Sequence, residues 1–162
     1  PQERILDAIA EIAGAVGCFG MIGGQVVDIQ SEGTAVDEET LYYIHTHKTG
    51  ALIVASMRAG AILAGAAQEE LDALSGYGRS VGLMFQIVDD ILNVEGDSTV
   101  IGKSTGSDAS REKVTFPSFF GLEKSREKSY KLKEQALASV SAFDEHAWPL
   151  RILAAHIMER RS

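Results

Sequence analysis

Residues 85–97, FQIVDDILNVEGD, decide how the rest of the chain is read. At about 100° per residue, a helix places Gln86, Asp89, Asp90 and Asn93 within an arc of about 100°. Val81, Leu83, Met84, Phe85, Ile87, Val88, Ile91, Leu92 and Val94 cover nearly every other direction. A helix apolar almost all round belongs inside a bundle. Two adjacent carboxylates on such a rod cost several kcal/mol each if unpaired, so something cationic must face them. Hard oxygen ligands offered singly, with room for water and phosphate oxygens, suit Mg²⁺. A pair of salt-bridged aspartates at a helix end near solvent is the competing reading, and spacing alone does not separate the two.

Working outward, the flanking segments read as further helices. Ile5, Ile9, Ile12, Val16 and Phe19 recur at helical spacing and predict a helix over 3–21, which Gly23-Gly24 interrupts before a second stretch at 25–29. Residues 31–36, with Gly33, read as a loop. Asp37 is a candidate N-cap, with Glu38 and Glu39 in the first turn, and a long helix should run from it to about Gly65. The aspartate helix is expected over 68–94, followed by an irregular polar segment at 98–114. Pro117 and Gly121 bracket a short helix. An amphipathic helix at 123–143 carries Leu132, Ala136, Val140 and Phe143 on one stripe, and Pro149 opens a last helix at 149–160. No strand-like alternation persists, so the fold class is all-α.

Composition limits the function classes. The 162 residues fit one domain, and 45% apolar with 23% charged residues excludes a disordered tail, a collagen-like repeat and a disulfide scaffold. Fifteen Lys+Arg against 23 Asp+Glu give a net charge of −8, which argues against a nucleic-acid partner. The lone cysteine, Cys18, allows no internal disulfide and fits a reducing, cytoplasmic setting; nothing near it suggests thiolate activation, so a small buried hydrophobe is expected. Residues 50–68 are the apolar run that most resembles a membrane span, but a central Arg58 would cost about 3 kcal/mol there, and a buried core helix is the better reading.

Lysines sharpen the reading of the aspartates. Lys48 lies in HTHKTG, directly before an apolar run, and Lys103 and Lys113 follow the aspartates closely enough to fold back over them. An acidic pair, a magnesium ion and several lysines together make a diphosphate site. His45 and His47 look like a metal pair, but the i, i+2 spacing points their rings about 160° apart, and packing is the simpler role. Tyr42-Tyr43 and Phe119-Phe120 read as core, and 123–133 as a solvated helix face.

The motifs together resemble a known family. FQIVDDILNVEGD, then Gly102-Lys103, GSD at 106–108 and EKVTFPSFFGLE at 112–123, is similar to the second aspartate-rich region of trans-polyprenyl diphosphate synthases of the farnesyl/geranylgeranyl type. GGQVVDI at 23–29 and IHTHKTGALI at 44–53 resemble two further signatures, in the family's order. The resemblance implies a helical bundle of the isoprenoid synthase type, present as a partial fold, and a Mg²⁺-dependent condensation of isopentenyl diphosphate with an allylic diphosphate. It implies catalytic roles for Asp89, Asp90 and Lys48, with Asp89, Asp90 and Asn93 facing the metal and Asp89 the direct ligand. Lys48 and Lys103 would contact the allylic diphosphate, Thr49 and Gln86 would line the reacting allyl group, Lys113 would sit at the rim, and Gln25 and Asp28 would support the Lys48 helix. Family members are usually homodimers.

Two departures from the family pattern matter. Its motif reads Asp-Asp-x-x-Asp, whereas the third acidic position here is Asn93, which offers an oxygen but no charge. The family's first aspartate-rich motif and its following arginines have no counterpart here. The chain, which begins at Pro1, is therefore expected to be the C-terminal half of a single synthase domain and to be inactive alone. A non-catalytic helical partner or regulatory subunit of an active synthase is the alternative.

Overall fold

The computed structural model describes residues 2–96 and 114–160. All of its elements are helical, and no strand occurs among the described residues. Helix α1 spans Gln2–Val16, α2 Met21–Gln30, α3 Glu38–His45, α4 Ala51–Ala64 and α5 Gln68–Gly96; α6 is Phe116–Phe120, α7 Leu122–Ser139 and α8 Trp148–Glu159. A π-helical turn, Thr46–Gly50, joins α3 to α4, and a 3₁₀ turn, Glu145–Ala147, leads into α8.

The 29-residue α5 is the central rod, with α4 and α7 packed along it and α6, α8 and the π-helical turn closing its sides. Val81, Met84, Ile87, Val88 and Ile91 of α5 form the core with Leu41, Phe116, Leu132, Ala136, Val140, Ala154 and Ile157. Glycines set how closely α4 approaches: a Cβ on Gly82 would lie 2.9 Å from the Gly50 Cα, and one on Gly78 would lie 3.1 Å from the Val54 Cα. Tyr77, fully buried, donates its hydroxyl to the Leu150 carbonyl at 2.7 Å and so pins α8 to α5; burial pushes its phenol up to about 12.

Local signals act where the sequence placed them. Asp37 Oδ1 accepts the Thr40 N–H at 2.8 Å at the start of α3, and Gly65 ends α4 in the left-handed conformation at φ 83°. Thr115 caps α6 through a reciprocal bond with Ser118, with Pro117 in the first turn and Gly121 closing it. On α7, Leu132 and Ala136 are buried, as is Val140 at its C-cap, while Phe143 packs against the core beyond the helix end.

Four expectations need correction. The N-terminal helix breaks at residues 17–20, not at Gly23-Gly24, because a side chain on Gly20 would collide with the Ala15 carbonyl oxygen at 2.0 Å and only glycine permits the turn. Gly23 and Gly24 lie inside α2, where Gly24 lets the helix touch another backbone. The predicted continuous helix from Asp37 to Gly65 is interrupted by the π-helical turn. Cys18 is exposed, because it sits in the turn between α1 and α2 rather than on a buried face. The stretch long and apolar enough to cross a membrane by length and composition is Gln2–Gln30, not 50–68; it consists of two helices with the 17–20 turn between them.

Candidate active site

The C-terminal half of α5 borders a cavity of about 400 Å³ lined by Asp28, His45, Lys48, Gln86, Asp89, Asp90 and Asn93, with Ile44, Val114 and Thr115. The arc predicted for Gln86, Asp89, Asp90 and Asn93 is thus one wall of a single cavity, and α2, α3 and the π-helical turn bring Asp28, His45 and Lys48 to the opposite side. A larger cavity of about 650 Å³ lies between α4, α5 and α7, and no carboxylate lines it.

Each carboxylate of the acidic pair has a nitrogen partner within the protein. Asp90 is buried, and its Oδ2 meets His45 Nε2 at 2.9 Å and accepts the Phe116 N–H at 2.9 Å. His45 Nδ1 lies 3.1 Å from the Leu41 carbonyl, so each ring nitrogen has an oxygen within hydrogen-bond reach. Asp89 is more open, and Arg160 Nη2 donates to its Oδ1 at 2.8 Å while the guanidinium lies 4.8 Å over the Phe85 ring. The two neighbours on α5 therefore have separate partners, from elements far apart in the chain.

Lys48 and Thr49 owe their placement to the π-helical turn. Thr46 donates to the Tyr42 carbonyl at 2.7 Å, and His47 Nδ1 lies 2.9 Å from the Tyr43 carbonyl with its ring stacked on Tyr43. Such widened turns recur at functional sites because they re-aim side chains within an otherwise regular helix. Lys48 Nζ donates to Asp28 Oδ2 at 2.7 Å, and a Cβ on Gly24 would lie 2.3 Å from the Lys48 backbone nitrogen. Helix α2 thus presses its glycine against the turn and offers Asp28 one helical turn later. Thr49 Oγ1 donates to Gln86 Oε1 and also borders a smaller cavity with Leu52, Ile53 and Ser56.

Lys48, Gln86, Asp89, Asp90 and Asn93 come together on one cavity, Thr49 reaches it through Gln86, and Lys103 and Lys113 lie outside the described residues. His45 and Arg160 were missed. The i, i+2 histidine spacing gave no hint that one ring faces α5, and Arg160 stands 71 positions from Asp89. The donor set suits a hard cation: Asp89, Asp90 and Asn93 all bring side-chain oxygens to the cavity, Asp89 Oδ1 accepting from Arg160 and Asp90 Oδ2 meeting two partners. No cluster of three or more His, Cys, Asp or Glu side chains able to hold a metal occurs among the described residues. A divalent ion here would complete its shell from water and phosphate oxygens, the habit of Mg²⁺.

Residues 4–147 match the family model described as polyprenyl synthetase. The chain belongs to the polyprenyl synthetase family. Among curated relatives of this synthetase chain, it is 45% identical over 161 residues to a dimethylallyltranstransferase of Fischerella ambigua, covering 99% of this chain and 46% of the relative. It is 40% identical to the geranylgeranyl diphosphate synthase of Cyanophora paradoxa, covering 100% of this chain and 54% of that protein. Among solved structures, a geranyltransferase of Helicobacter pylori complexed with magnesium and isoprenyl diphosphate superposes with a TM-score of 0.76 at 31% identity, covering 98% of this chain and 52% of that one. An FPP/GFPP synthase of Zymomonas mobilis superposes with a TM-score of 0.83 at 34% identity, covering 97% and 52% respectively. The chain spans about half the length of the relatives it matches.

Proposed function

We propose that this polyprenyl synthetase chain supplies the second aspartate-rich side of a magnesium-dependent site that joins isopentenyl diphosphate to an allylic diphosphate. The observation that carries the reading is the single cavity shared by Lys48, Gln86, Asp89, Asp90 and Asn93 on the flank of an otherwise apolar helix. Breaking an allylic C–O bond needs negative charge neutralised on the departing diphosphate and water kept from the cation left behind. Magnesium, when bound, supplies charge neutralisation at the diphosphate. Lys48 offers an ammonium to the same group, and Asp28 holds that ammonium in place. Gln86 and Thr49 present oxygens suited to developing positive charge, and the apolar residues of α4 and α5 exclude water. Lys103 and Lys113 add to the diphosphate contacts in this reading.

The first aspartate-rich motif completes the site in the full protein. Its setting is cytoplasmic, in keeping with a single cysteine, and its assembly is a homodimer, in keeping with the exposed Ile5, Leu6, Ile9 and Ile12 of α1. The second reading, a non-catalytic partner of an active synthase, rests on the uncharged Asn93. The test is turnover of isopentenyl diphosphate by the full protein with magnesium and a series of allylic diphosphates. Lys48→Ala and Asp89→Ala are each expected to lower the rate by about two orders of magnitude or more. Full rate in both variants overturns the assignment, and absence of turnover on every primer selects the non-catalytic partner.

A further inference from the structure

The two side chains that partner the acidic pair are held in different ways. His45 and Asp90 are sealed, with side chains 8% and 10% exposed, and the Phe116 N–H adds a second bond to the carboxylate. Arg160 and Asp89 are open, at 24% and 41%. Arg160 lies just past the end of α8, with extended backbone at φ −57° and ψ 135°, so the helix ladder does not fix it. Its guanidinium rests on Phe85 and gives Asp89 a single hydrogen bond. Its Nε is buried and has no hydrogen-bond partner, although a guanidinium can grip a carboxylate with two parallel bonds. That donor has lost water without replacement, so release of the side chain restores hydration and offsets part of the lost contact. The Arg160 contact is therefore poised for exchange, and the His45 contact is not.

We propose that Arg160 is a built-in counter-ion of Asp89 which a divalent cation must displace, so that the C-terminal end of α8 competes with the metal for this carboxylate. The inference rests on the reading of Asp89 as a metal-facing residue. It gives each of the two adjacent carboxylates a partner of its own: Asp90 is held by the buried His45 and the Phe116 N–H, and Asp89 by the removable Arg160. A cation that takes Oδ1 takes it from Arg160, and its apparent affinity is lowered by the fraction of molecules in which the arginine is seated. Phe85 gives the guanidinium an apolar face to rest on during the exchange.

The test is calorimetric titration of the full chain with Mg²⁺ in the presence of inorganic diphosphate. Arg160→Ala and Arg160→Gln are expected to bind about two- to fivefold more tightly than the parent, the range set by a half-open ion pair. Asp89→Asn is expected to abolish that gain. A parallel thermal-unfolding cycle without ligand, pairing Arg160→Ala with Asp89→Asn, is expected to be non-additive, and additivity overturns the proposal by showing that the two side chains do not interact. Binding that is equal or weaker in both Arg160 variants overturns this proposal alone. Absence of binding in every variant, the parent included, overturns the magnesium reading and this proposal with it.

Discussion

Asp89 and Asp90 are neighbours on one helix, yet removing each should have very unequal consequences for stability. Asp90 accepts from His45 and from the Phe116 N–H in a buried position, so Asp90→Ala leaves two buried donors unsatisfied. The expected loss is about 3 kcal/mol of folding stability, read by chemical denaturation. Asp89→Ala breaks one half-open ion pair, and the expected loss is below about 1 kcal/mol by the same measurement. A similar loss in both would mean that the two carboxylates are equally buried in solution. The requirement for a cation was legible in the apolar surroundings of the pair. Which side chain answers each carboxylate was not, because His45 and Arg160 reach the site from elements far apart in the chain.

Among the elements, the π-helical turn and α2 act as one unit. Gly24 is the contact point, with space for no side chain between α2 and the Lys48 backbone. Gly24→Ala is expected to cost about 2 kcal/mol or more and to weaken the Lys48–Asp28 pair, because the Cβ meets backbone that cannot swing aside. Gly60, exposed in the interior of α4, has open space around it; Gly60→Ala is expected to stabilise the protein by about 0.5–1 kcal/mol. Thermal unfolding of the two variants side by side checks both signs. In sequence, a glycine pair marks a helix break as readily as a close approach, so Gly23-Gly24 was read as a break. The π-helical turn had no local signature either: Thr46 and His47 bonding back to Tyr42 and Tyr43 carbonyls is a choice made under the pressure of α2 and α5 packing on either side.

For the whole molecule, an ion pair joins the N-terminal helix to the core rods. Arg58 of α4 donates to both oxygens of Glu11 in α1, at 2.9 and 2.6 Å, and to Ser75 of α5 at 2.9 Å. The Arg58 hydrogen bond holds the Glu11 carboxyl below its usual 4.5. The folded protein then keeps this group ionised at a pH where the unfolded chain has begun to protonate it, so stability rises with pH across that interval. The contribution is complete above about the ordinary carboxylate value of 4.5 and is lost as pH falls through the lower folded value. Glu11→Gln is expected to flatten this acid limb of the stability profile relative to the parent, while the two curves keep parallel slopes from pH 6 to 8. Identical slopes at every pH would show that the pair contributes nothing to linkage.

The chain's own pattern of residues determined that the fold is helical, where most helices start and stop, and that Gln86, Asp89, Asp90 and Asn93 share a face. These are short-range matters of periodicity, caps and glycine stops, and each was settled within a few turns of the helix concerned. The tertiary structure decided where α1 ends, how the helix bearing Lys48 opens into a π turn, and which side chain partners each carboxylate. Those outcomes depend on distances between backbones and charges that are remote in sequence and meet only when the helices pack.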